Sequence, residues 1–292
     1  MKVAYLGPPG TYTDDALRAA AAGAEIEAVP HPSVFDTVTA VADGDADRAF
    51  VPFENSIAGA VRATLDTLAF DASGVAIAGE HDHPIHHSLI AARPLELSEV
   101  EVVVSHEQAG AQCARYVREH LPGAAMRGAS STADAVHQVI ESGRPWAAIG
   151  AAITAELYDG VVLAEGVEDE PWNITRFVWI APSDVRPEGG GQWRTTLIFS
   201  ELGEDHPGAL VDALTEFSSR DVNLTRLESR PLRRELGRYM FFVDIEGAAD
   251  EPTVAGSIKA LRGKAESVRV LGSYPVNAGG VPGAGEPGGD RL

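Results

Sequence analysis

A guanidinium and two hydrogen-bonding side chains stand where an apolar strand begins. In DEPWNITRFVWI, Asp169 to Ile180, the run Phe177, Val178, Trp179 and Ile180 reads as a buried strand, with Asn173, Thr175 and Arg176 at its mouth. A charge beside a buried strand requires a carboxylate or a bound anion, because burying it unpaired is very costly. Glu168, Asp169 and Glu170 are close enough in sequence to be the carboxylate, and a captured anion is the functional alternative.

Other chemistry-bearing residues fall on turns. Gly7-Pro8-Pro9-Gly10-Thr11 follows the apolar run VAYL, Glu54-Asn55-Ser56 follows AFVPF, Ser105-His106 follows EVVV, and Ser130-Ser131-Thr132 precedes ADAVHQVI. The start of a helix offers unpaired N–H groups and partial positive charge, so each turn is a candidate anion site or a plain N-cap. GPPGT lacks the lysine of a P-loop and the third glycine of a dinucleotide fingerprint, so no nucleotide is expected. His81, His83, His86 and His87 cluster beside Asp82, but strand alternation separates His86 from His81 and His83, and no metal is expected. Cys113 lies in an amphipathic run and reads as a quiet buried thiol. In NLTRLESRP, Glu228 and Arg230 share a face of a strand end, as an ion pair on a solvated edge or as the two poles of a zwitterion site.

These residues need elements to carry them. The 292 residues, 45% hydrophobic, are enough for more than one globular domain. A net charge of −20 argues against nucleic acid and anionic membranes as partners, and any anionic ligand must be held by a local field. One cysteine excludes an intrachain disulfide and fits a reducing cytoplasm. The opening MKVAYLGPPG breaks at Gly and Pro and reads neither as a signal peptide nor as a span, and no run nears the roughly 20 residues a bilayer needs.

Residues 1–181 alternate strand-like runs (KVAYLG, AEIEAV, RAFVPF, GVAIAGE, EVVVS, WAAIG) with amphipathic ones, which predicts α/β layers with mostly parallel strands. Crossings near 74–92 and 161–177 would divide them into two lobes with a cleft between, where ligands commonly bind. A Pro/Gly-rich linker, 182–193, leads to 194–275, whose runs follow the ferredoxin-like order βαββαβ. Residues 276–292, rich in Gly and Pro, are expected to be a disordered tail.

Taken in order, the motifs resemble the prephenate dehydratase family over nearly the whole chain. GPPGTYTDDAL is similar to its opening motif, VPFENSIAGAV to its Glu-Asn-Ser motif, SHEQAGAQC to its Ser-His-x-Gln…Gln-Cys motif, and SSTADAV and NITRF to the rest. HPGAL and NLTRLESRP resemble the phenylalanine-binding segments of an ACT domain. Pro9 and the extra histidines around His87 depart from the pattern.

The resemblance implies a periplasmic-binding-protein-like catalytic domain plus an ACT domain, and a carbon–oxygen lyase of phenylalanine biosynthesis. Its substrate would be prephenate and its product phenylpyruvate, with no cofactor. Thr175 would serve the leaving hydroxyl, with Glu54 as rival acid, and Arg176 would clamp a carboxylate. Asn55, Ser56, Gln112, Thr11, Ser105, Ser130, Ser131, Thr132 and Phe177 would position the substrate. L-phenylalanine would bind between subunits of a homodimer or homotetramer, at Gly208, Ala209, Leu210, Asn223, Leu224, Glu228, Ser229, Arg230 and Pro231. The alternatives are an arogenate dehydratase and a non-catalytic amino-acid sensor.

Overall fold

Short apolar runs set between amphipathic helices produce layers in this computed structural model, which describes residues 1–202, 207–234 and 236–283. The chain builds β1 (Lys2–Leu6), α1 (Tyr12–Ala20), β2 (Glu27–His31), α2 (Val34–Ala42), β3 (Arg48–Asn55) and β4 (Gly59–Ala60). Next comes α3 (Arg62–Asp66), prolonged by a π turn over Thr67–Asp71. Then β5 (Val75–Pro84) carries the chain across to β6 (Ser88–Ala91), β7 (Val102–Ser105), α4 (Glu107–Gln112), α5 (Ala114–His120) and β8 (Ala125–Gly128). After α6 (Thr132–Ser142), β9 (Trp146–Gly150), α7 (Ala152–Leu157) and β10 (Val161–Glu165), it returns along β11 (Ile174–Pro182). The last unit is β12 (Trp193–Leu202), α8 (Ala209–Ser218), β13 (Leu224–Pro231), β14 (Tyr239–Glu246), α9 (Pro252–Leu261) and β15 (Ala265–Pro275), the expected βαββαβ order.

Among the described residues the strands form two sheets. The first lobe runs β2-β1-β3-β11-β5, with β1 parallel to β2 and β3, and β11 antiparallel to β3 and β5. The second lobe runs β10-β6-β9-β7-β8. The C-terminal sheet, β13-β14-β12-β15, joins the first lobe's sheet where Gly272 of β15 lies opposite Ile77 of β5. A Cβ at Gly272 would lie 2.2 Å from the Ile77 carbonyl oxygen, so only glycine permits this junction.

Strand alternation decides what each face of β11 meets. Phe177 and Trp179 pack with Tyr5, Leu17 and Phe50 beneath α1, and the Phe50 and Phe177 rings stack 5.1 Å apart. Val178 and Ile180 face the other way, into a core shared with Phe53, Met240, Phe242 and Tyr274, which joins the first lobe to the C-terminal domain. Each fully buried aromatic stabilises by roughly 2 kcal/mol, so this junction is a core and not a loose contact.

The tail expectation is corrected for residues 276–283. Val276 N–H donates to the Gln192 carbonyl at 2.9 Å, and Asn277 exchanges bonds with Asp82. Val281 enters the core of Phe177 and Trp179, and Arg48 Nε donates to the Pro282 carbonyl at 2.8 Å. Composition counts what a segment can bury alone, and this one uses another unit's surface. Residues 284–292 lie outside the described residues, as does His206 of the HPGAL segment.

Candidate active site

The turn after β3 is built by Asn55. Its Oδ1 accepts the backbone N–H groups of Ile57 (3.0 Å) and Ala58 (2.8 Å), the local bonding that makes Asn a turn residue. The amide nitrogen is thereby turned outward, and it donates to Thr175 Oγ1 at 2.9 Å and to Asn173 Oδ1 at 2.7 Å. Asn55 and Thr175 face each other because they are register partners of β3 and β11. Asn173 Nδ2 in turn donates to Gln112 Oε1 at 3.1 Å, linking the first lobe to α4 of the second. His87 Nε2 stands 2.8 Å from the same oxygen, and His87 Nδ1 is hydrogen-bonded to the Tyr12 hydroxyl of α1. Thr175, Asn55, Asn173 and His87 are all buried. Burial pushes the His87 pKa down, against the raising effect of the Gln112 bond, so the imidazole is neutral. Burial likewise drives Tyr12 well above its usual value.

The opposite face carries charge. Arg176 is the register partner of Glu54, and its guanidinium meets Asp244 of β14 (2.5 Å), Glu54 (3.3 Å) and Glu80 (3.5 Å). It also stacks over the Phe53 ring at 4.8 Å. Burial lowers the Arg176 pKa, but Asp244 above all outweighs it and holds the group charged. The expected clamp is therefore corrected: adjacent strand residues point to opposite faces, and Arg176 points away from Thr175 into the domain junction. Its partners are not Glu168, Asp169 or Glu170. Glu168 bonds His86 and the His87 N–H, and Asp169 caps the N–H groups of Arg115 and Tyr116.

Glu54 is corrected with it. Its carboxylate pairs with Arg176 and with Arg226 of β13 (3.4 Å), on the face away from Thr175. Phe177, 1% exposed, supports the strand from within the core and offers no surface to a ligand. Ser56 is also committed, since its hydroxyl donates to the Trp172 carbonyl (2.8 Å) and accepts the Ile174 N–H (2.9 Å).

The remaining expected residues occupy strand-to-helix turns of both lobes. Thr11 precedes α1 with no side-chain cap, its hydroxyl donating to the Pro8 carbonyl at 3.0 Å. Ser105 ends β7 and donates to the His106 carbonyl. Ser131 caps α6 through the Asp134 N–H, Ser130 bonds the Asp134 carboxylate, and Thr132 opens the helix, buried. Thr154 Oγ1 donates to the Gly10 carbonyl at 2.7 Å, so the first turn of α7 meets the turn before α1 across the lobes.

A cavity of about 560 Å³ adjoins this contact, lined from both lobes by Asp15, His83, His86, Ser88, Ala151 and Glu165 among others, and by none of the expected substrate residues. Its histidines are paired, His83 to Asp15 and His86 to Glu168, and among the described residues no three ligating side chains converge on a metal position. Cys113 is buried with its thiol pKa pushed up by burial.

In the C-terminal domain, Glu228 and Arg230 do share a face, but Arg230 grips Asp66 of α3 with two bonds (3.0 and 2.6 Å) instead of awaiting a ligand. Gly208 begins α8 at φ +94°, followed by Ala209 and Leu210. Asn223 accepts the Glu246 N–H as β13 starts at Leu224, and Ser229 and Pro231 are exposed near its end.

A family model described as prephenate dehydratase matches residues 3–185, and one described as the ACT domain matches residues 196–263. The chain is similar to a curated prephenate dehydratase of Mycobacterium sp. (strain JLS), 41% identical, over 96% of this chain and 91% of that one. It is also similar to the crystal structure of prephenate dehydratase in complex with L-Phe from Arthrobacter aurescens, 39% identical with TM-score 0.87, over 95% and 90% of the two chains. A protein described as a novel type of quorum-quenching acylase is 33% identical with TM-score 0.82, over 94% and 98%.

Proposed function

The chain belongs to the prephenate dehydratase family and carries an ACT domain, and from that premise we propose that it converts prephenate to phenylpyruvate under feedback control by L-phenylalanine. In this reaction the C–C bonding pair of a ring carboxylate moves into the ring as carbon dioxide leaves. The hydroxyl departs from the far side of the ring and needs one proton to become water. Aromatisation drives the step, and the enzyme supplies orientation and help for a poor leaving group.

One observation carries the reading. Asn55 donates to Thr175 Oγ1, so the threonine's own hydrogen is left to donate elsewhere. A threonine hydroxyl is too weak an acid to protonate hydroxide's precursor outright, so its role is a hydrogen bond that strengthens as charge grows on the departing oxygen. With Arg176 and Glu54 committed to the domain junction, the substrate carboxylates fall to neutral donors. These are the N–H groups that open α1 after Thr11, the hydroxyls of Ser131 and Thr132, and the Gln112 amide, with Ser105 and Ser130, whose hydroxyls are already spent on His106 and Asp134, shaping the turns beside them.

Control would act through the ACT domain, with L-phenylalanine contacted by Gly208, Ala209 and Leu210 and by the Asn223–Leu224 segment of a partner subunit, Glu228–Pro231 shaping the pocket. The same strand, β13, carries Arg226 against Glu54, which pairs with Arg176 beside Thr175. That contact gives effector binding a short physical route to the reacting group.

The test is turnover of prephenate to phenylpyruvate by purified protein with and without L-phenylalanine, with arogenate as the competing substrate. Preference for arogenate, or no turnover of prephenate, would sink the assignment.

A further inference from the structure

The hydrogen-bond chain around Thr175 has one direction, and backbone groups set it. Ile57 and Ala58 N–H can only donate, so the oxygen of Asn55 must face them and its NH2 must face away. That NH2 donates to Asn173 Oδ1 and Thr175 Oγ1, its two shortest contacts, with the Ile174 carbonyl, which can only accept, a longer third at 3.3 Å. Asn173 must then offer its oxygen to Asn55 and its nitrogen to Gln112. Gln112 receives that donor with its oxygen, and so His87 must carry its hydrogen on Nε2. The bare Nδ1 finally accepts the Tyr12 O–H. Each residue has one orientation that leaves no donor facing a donor.

From this geometry, and resting on the reaction proposed above, we infer that Asn173 is a positioning residue, which transmits the donor sense fixed at the turn after β3 from Asn55, which also serves Thr175, in the first lobe to Gln112 in the second. Asn173 is 1% exposed and sits at the return crossing, where its carbonyl also accepts the Ile85 N–H of the outgoing one. It therefore holds both crossings and both amides. The chain consumes the Gln112 oxygen and leaves its NH2 free of the chain, as it leaves the Thr175 hydrogen. Each lobe then presents one oriented donor to whatever lies between them.

The test replaces Asn173 in the full-length protein. Asn173→Ala removes both bonds, and kcat on prephenate should fall about 100-fold, the effect of misplacing reacting groups by about an ångström, with KM changed far less. Asn173→Asp keeps an acceptor for Asn55 and the side-chain shape but, ionised, cannot donate to Gln112. Its kcat relative to the wild type should rise as pH falls, since a protonated carboxyl restores the donor. The titratable groups around that position are His87 from the outgoing crossing, Tyr12 from α1, Cys113 beside α4 and Glu168 before β11. Burial leaves the first three uncharged, and Glu168 is held ionised by its His86 and His87 bonds against its own burial. A kcat within about twofold of wild type for Asn173→Ala, or a pH-independent ratio for Asn173→Asp, overturns the inference. Nitrogen-15 NMR of the wild-type histidines tests the chain without any substrate: a protonated Nε2 and bare Nδ1 at His87 are expected. The reverse tautomer overturns it, whatever reaction the enzyme performs.

Discussion

On one face of β11, Thr175 belongs to a series of neutral groups, amides, an imidazole and hydroxyls, each with a fixed donor and acceptor end. On the other face, one residue later, Arg176 sits among Asp244, Glu54 and Glu80, with Arg194 and Arg226 as further cations. Neutral hydrogen bonds are worth about 1 kcal/mol each but carry direction. Ion pairs are stronger and less directional, and breaking a buried one leaves an uncompensated charge. The face that must aim a hydrogen uses the first kind, and the face that must hold two domains together uses the second.

The largest expected effect tests the charged face. Asp244→Ala leaves the Arg176 guanidinium without its nearest partner and should lower unfolding free energy by about 3–5 kcal/mol in urea titrations. The contrast breaks if stability holds and turnover collapses instead. Next, Thr175→Ala should lower kcat by about 10²–10³-fold, with a urea midpoint near wild type, as expected for one lost transition-state donor. A large stability loss there would make Thr175 structural.

Smaller effects come from the domain junction. Gly272→Ala drives a Cβ against the Ile77 carbonyl and should destabilise by about 1–3 kcal/mol, read as a lower thermal midpoint. Asp66→Asn should cost about 1 kcal/mol at neutral pH. Burial raises the Asp66 pKa, but its bonds from Arg230 and Arg233 outweigh that and leave it below the ordinary value. Its contribution is therefore present above the ordinary carboxylate range and lost as pH falls through the depressed pKa. Mutant and wild-type stabilities should converge in acid, and a gap that persists there would show that the ion pair is not the cause.

The layers and the βαββαβ order follow from local patterns, because periodicity is a local property, whereas Thr175 and Asn55, 120 residues apart, were brought to one site only by the resemblance of their motifs. The partner of Arg176 is not local: Asp244 is 68 residues away and in another domain. A signal was nevertheless present, an aspartate inside the otherwise apolar run YMFFVDI, together with the alternation that must send neighbours Thr175 and Arg176 to opposite faces. Asn173 stood out at the strand mouth and His87 fitted the family pattern, but neither was marked as a link between the lobes. Their importance lies in which atoms they turn toward each other, and nothing in spacing encodes that.

The segment 276–283 leaves the ACT domain and lies back on the first lobe, through Asn277, Val281 and Pro282. The ACT domain is thus moored at both its ends, by the linker before β12 and by this return after β15. A protease cutting the linker between Ser183 and Gln192 would sever the backbone without freeing either piece. The nicked protein should run as one species on a sizing column, and the two fragments, made separately, already possess the surfaces by which to find each other.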